Sequence, residues 1–77
     1  MNEITINPCA VGNKLRALRG AKTLEYVSEE TGIGRSALNM YELGMRTPRD
    51  ETKIKLATYY GVSVADLFFD ERITYRD

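Results

Sequence analysis

The stretch 31-TGIGRSALNMYELG-44 decides how this chain is read. Gly32 and Gly34 bound a turn, and Gly44 closes the ten-residue segment beyond it. Within that segment Leu38 and Tyr41 stand three apart, the spacing of one helix face. Arg35, Ser36, Asn39 and Met40 are interleaved with them and fall on the other side. The pattern predicts a helix from Gly34 or Arg35 to about Leu43. One face is for packing and the other is free to touch something.

The segment just before it completes a motif. Thr23 is placed to cap a helix, because its hydroxyl can accept from the backbone N–H groups that a helix start leaves unpaired. Leu24, Val27 and Thr31 form that helix's inner stripe, and Gly32 ends it where a left-handed residue is usual. Ser28 is small where a following helix would cross closely, and Ile33 can plug the corner. Two short helices crossing over a turn of three or four residues make a helix-turn-helix.

Further out the pattern stays helical. Val11, Leu15 and Leu18 share one face and predict a first helix over 11–20, ended by Gly20, with Pro8 blocking an earlier start. Arg46-Thr47-Pro48 reads as a loop, since the residue before proline resists helix. A fourth helix is expected from Asp50 to Tyr60, with Ile54, Leu56, Ala57 and Tyr60 as its apolar set and Gly61 as its stop. Ser63-x-x-Asp66 is a capping box with Asp in place of Glu, opening a short fifth helix with Val64, Leu67 and Phe68. Residues 3–7 and 72–76 alternate as short terminal strands do. The expected architecture is a compact all-α, five-helix domain over 11–69. Residues 1–10 form an N-terminal extension and 70–77 a tail.

Composition bounds the function. A chain of 77 residues buries only about 60% of its unfolded surface, enough for a core but not for a deep cleft. There is one cysteine and no histidine, so an internal disulfide and a Cys/His zinc site are excluded and no metal is expected. No apolar run is long enough for a membrane span, and no signal peptide is visible. The chemistry of an enzyme is missing: no nucleophile elbow, no phosphate-binding glycine loop, and no sequence-level base for Cys9. Eleven basic residues balance eleven acidic ones, yet they are not mixed evenly. Residues 12–22 carry Lys14, Arg16, Arg19 and Lys22 with no acid, and 43–49 carry Arg46 and Arg49 with none. A neutral total can therefore hold one basic face.

From Val11 to Phe68 the chain resembles the lambda-repressor-like helix-turn-helix domains of the Xre/Cro type. The matching pieces are Lys14-Leu15-Arg16-x-Leu18-Arg19, Thr23-Leu24-Glu25-x-Val27 and Gly32-Ile33-x-Arg35-Ser36. Tyr41-Glu42-x-Gly44-x-Arg46-x-Pro48 and Gly61-Val62-Ser63-Val64-x-Asp66-Leu67-Phe68 complete the set. They run in order, with compatible spacing, over about three quarters of the chain. The resemblance implies a DNA-binding transcriptional regulator of the repressor kind, with the third helix in the major groove, and the lone Cys9 fits a reducing, cytoplasmic setting. Arg35, Ser36, Asn39 and Met40 are then the base-contacting set. Arg suits guanine O6 and N7, Asn suits adenine N6 and N7, and Met can pack on a thymine methyl. Lys22, Thr23, Leu24, Arg46 and Arg49 occupy the family's phosphate-contacting positions. Arg19 and Glu42 stand where the family has a structural ion pair tying the first helix to the third. The partner implied is a palindromic double-stranded operator bound by a homodimer, with no small-molecule cofactor. Helix five, with Leu67, Phe68 and Phe69, and the terminal strands are the candidate dimer surfaces.

The chain departs from the family pattern in places. Leu24 stands where many members have a Gln that bridges phosphate and recognition helix. The link Gly20-Ala21-Lys22 is one residue short. Gly34 replaces a Ser or Thr cap, Asp50 and Lys53 replace leucines, and Leu43 and Met45 are apolar where polar or basic residues are common. These changes keep a second reading open: a protein-binding module of the same fold, of antitoxin or anti-repressor type.

Overall fold

The computed structural model describes residues 8–68. Five helices follow one another: α1 (Pro8–Arg19), α2 (Leu24–Thr31), α3 (Arg35–Glu42), α4 (Asp50–Tyr60) and α5 (Val64–Phe68). The expected terminal strands at 3–7 and 72–76 lie outside the described residues, as does Phe69. No helix among the described residues is long and apolar enough to cross a membrane.

Local chemistry sets most of the ends. Thr23 caps α2, its Oγ1 accepting from the Tyr26 amide at 3.0 Å. Gly32 and Gly61 close α2 and α4 at φ of 78° and 73°, in the left-handed region where a side chain would be strained. Ser63 Oγ accepts from the Asp66 amide at 2.9 Å and opens α5. The start of α1 corrects the reading of Pro8. That residue does not block the helix but begins it, because the first turn needs no N–H from it and its fixed φ is already helical. The helix therefore starts inside the segment assigned to the N-terminal extension.

The core gathers Val11 and Leu15 of α1, Val27 of α2, Ile33 of the α2–α3 turn, and Leu38 and Tyr41 of α3. Leu56 and Ala57 of α4 and Leu67 and Phe68 of α5 complete it. Phe68, Leu56, Leu67 and Val27 are the largest side chains fully shut from solvent. Three expectations are corrected by this core. Leu18, expected on the inner face of the first helix, is 38% exposed, on the rim of a groove shared with Val62 and Leu67. Ile54, expected in the apolar set of α4, is 58% exposed and lies round the helix from the buried Leu56–Ala57 pair. Leu67 and Phe68, expected at a dimer surface, are both buried in this chain's own core. The Lys53 substitution costs little packing. Its stem is largely buried while its ammonium reaches over the Phe68 ring at 5.8 Å and toward Asp50 at 3.7 Å.

Candidate nucleic-acid interface

The corner between α2 and α3 is built by side chains as well as backbone. The Ser28 hydroxyl donates to the Ile33 carbonyl at 2.6 Å. The Thr31 hydroxyl donates to the Val27 carbonyl at 2.8 Å and accepts from the Ile33 amide at 3.2 Å. Ile33, buried, fills the corner beneath. The small size of Ser28 and Thr31 is legible in the sequence. Their part as clamps on the turn is not, because it depends on where the chain goes after Gly32.

The far side of α3 is held by α1, which packs on it more extensively than any other helix. Gly12 makes this possible. A Cβ built on it would lie 3.0 Å from the Tyr41 carbonyl oxygen and closer still to the carbonyl of Glu42. Above that contact Arg19 and Glu42 form a two-point ion pair, Nε to Oε2 at 2.7 Å and Nη2 to Oε1 at 2.9 Å. The Glu42 side chain is only 5% exposed, so its charge is answered by this pair and not by water. The hydrogen bonds to Glu42 raise the pKa of Arg19. The remaining Nη1 donates to the Lys22 carbonyl at 2.6 Å, tying the α1–α2 turn to the same cluster. Tyr60 lies nearby. Burial first, and the Glu42 charge second, push its phenol up to about 12.

With α3 fixed from behind, its front is open. Arg35, Ser36 and Asn39 are exposed, and Met40 is half-buried. Arg35, Asn39 and Leu43 stand four apart on one line, and Leu43 is exposed as the row's third member. Arg35 also lines a cleft with Thr23, Leu24, Glu25 and Arg19, so the starts of α2 and α3 face a common space. Glu25 brings an acid into that cleft. Thr23 already accepts from the Tyr26 amide, and Leu24 is half-buried and packs on the core. Arg46 and Arg49 are exposed on either side of the buried Pro48 in the α3–α4 loop. No ion pair engages Arg35, Arg46 or Arg49 among the described residues. Lys22 lies apart from the others, its ammonium turned to Tyr26 and Tyr59.

This arrangement is shared with known proteins. A helix-turn-helix family model matches residues 14–67. The chain belongs to the lambda-repressor-like helix-turn-helix family. The cryptic phage CTXphi transcriptional repressor RstR of Vibrio cholerae is 40% identical over 60 residues, 75% of this chain. The match is 54% of that protein, so this chain spans about half its relative's length. The restriction-modification controller protein C.AhdI from Aeromonas hydrophila superposes with a TM-score of 0.70 at 32% identity, over 79% of this chain and 96% of that one. The S. venezulae BldD DNA-binding domain superposes with a TM-score of 0.68 at 30% identity, over 80% of this chain and 96% of that one.

Proposed function

We propose that this chain is a DNA-binding transcriptional repressor that lays α3 in the major groove of a palindromic operator and acts as a homodimer. The observation that carries the reading is the exposed face of α3, open at Arg35, Ser36 and Asn39 while the opposite face is locked to α1. A base-reading helix needs both a free donor-acceptor edge and a fixed orientation. Arg35 and Asn39 supply bidentate groups for guanine and adenine, Ser36 a further polar contact, and Met40 an apolar one at the groove wall. Phosphates are met by Arg46 and Arg49 and by the first turn of α2 at Thr23 and Leu24, through backbone N–H groups. One such domain reads few base pairs, so specificity calls for two half-sites and two copies. The repressor named among the relatives supports the direction of regulation.

A second reading has its own observation. Leu43 and Met45 are 49% and 66% exposed beside the candidate interface, and Glu25 breaks the positive charge of its cleft. Both features suit a protein partner.

Selection of bound duplexes from a random DNA pool at low salt, with Arg35→Ala in parallel, separates the two. A palindromic site that Arg35→Ala blurs at one base pair, at a cost of about 1–3 kcal/mol, supports base reading by α3. No enrichment at a salt where nonspecific binding occurs favours the protein partner.

A further inference from the structure

Among the basic candidate phosphate contacts, Lys22 is the one whose side chain meets other side chains among the described residues. Its Nζ lies 5.0 Å from the Tyr59 ring centroid and 5.8 Å from that of Tyr26, and it donates to the Tyr59 hydroxyl at 3.3 Å. Lys22 belongs to the α1–α2 turn, Tyr26 to α2 and Tyr59 to α4. One ammonium therefore joins three elements. We infer that Lys22 is a positioning residue, latching the α1–α2 turn onto α4 through Tyr26 and Tyr59, and not a phosphate contact. The inference rests on the DNA-binding reading and refines which groups carry it.

Three observations converge. The Tyr59 hydroxyl accepts from the ammonium, which lies at the hydroxyl end of that ring and within 5.8 Å of the Tyr26 centroid, so it meets two tyrosines at once. The backbone of the same residue is also fixed, its carbonyl accepting from Arg19 at 2.6 Å. The next residue, Thr23, caps α2, so a shift of Lys22 shifts the first turn of α2 and the N–H groups it displays. The latch also lies where other support is thin. Between α2 and α4 runs an open groove lined by Thr31, Ile54, Thr58 and Tyr59, with Ile54 mostly in solvent.

The test uses the full chain and four variants: Lys22→Met, which keeps the stem without the charge, Lys22→Arg, Tyr59→Leu, and the Lys22→Met/Tyr59→Leu double. Thermal midpoints are measured without DNA. The salt dependence of binding is measured on a random-sequence duplex. Lys22→Met should lower the midpoint by about 3–6 °C, Lys22→Arg should restore it, and the double variant should lose clearly less than the two single losses together, the small remainder being the Tyr26 contact. The slope of log affinity against log salt should match the unsubstituted chain in Lys22→Met. A slope smaller by about 0.9, the loss of one phosphate contact, overturns the inference whatever the midpoint does. Additive midpoint losses, or none, overturn it as well. If the unsubstituted chain binds no duplex, the DNA reading fails, and the melting cycle alone decides the latch.

Discussion

The α1–α3 seam and the α2–α4 seam are opposites. At the first, backbone meets backbone over Gly12, an ion pair closes the edge, and Val11, Leu15, Leu38 and Tyr41 are buried. At the second, contact is sparse and an open groove of about 450 Å³ leaves Ile54 in solvent. The first seam holds the back of the helix whose front is open, so its tightness fixes how that front is presented. The second holds the helix whose first turn lines the cleft beside Arg35, and there a lysine and two tyrosines supplement the sparse contact.

Substitutions can break or sharpen this contrast. The largest effect is expected at Gly12→Ala. The new methyl meets carbonyl groups of α3 that cannot turn aside, so the helices must part, at about 3 kcal/mol or more in urea unfolding. An unchanged midpoint would show that the seam has room to spare. Glu42→Gln removes the charge that answers Arg19 and should cost about 2–3 kcal/mol, with Arg19→Ala adding little on top of it. Additive losses would mean the two residues act separately.

Tyr60 tests the same cluster by pH. Its phenol ionises near 10 when unfolded but is pushed up to about 12 in the fold. Between those values the folded chain holds a proton that the unfolded chain has lost, so stability is complete below pH 10 and declines as pH rises through the window. Tyr60→Phe should flatten that decline in alkaline melting curves. The smallest effect belongs to the loose seam. Ile54→Ser should change stability by less than about 0.5 kcal/mol, and a loss several times larger would erase the contrast.

How much of this is legible in the sequence depends on the reach of each interaction. Thr23, Gly32, Gly44 and Gly61 announce helix ends because capping is settled within four residues. The five helices and the inward Leu38 and Tyr41 are legible for the same reason. The Arg19–Glu42 pair is expected only from the family pattern, since its partners are 23 residues apart. Leu18 misleads because helical spacing tells which side chains share a face, not whether a neighbour covers it, and Ile54 because it lies round α4 from the pair that is covered. Gly12 is silent. A glycine inside a helix reads as a local weakness until the carbonyls lying against it are seen. The lysine at 22 looks like any basic residue, because Tyr59 is 37 positions away. The exposed front of α3 is legible as a face, while its extension to Leu43 requires the helix in place.

The burial of Leu67 and Phe68 has a consequence for how the molecule comes into being. Two of its most deeply enclosed side chains close α5, the fifth helix in chain order, and share the core with Val11 and Leu15 of α1, the first. During synthesis the first four helices can emerge, but the ribosome still withholds the piece that seals them. Closure waits until residue 68 is clear of the exit tunnel, and until then the apolar faces of α1 and α4 are surface that a chaperone or another nascent chain can meet.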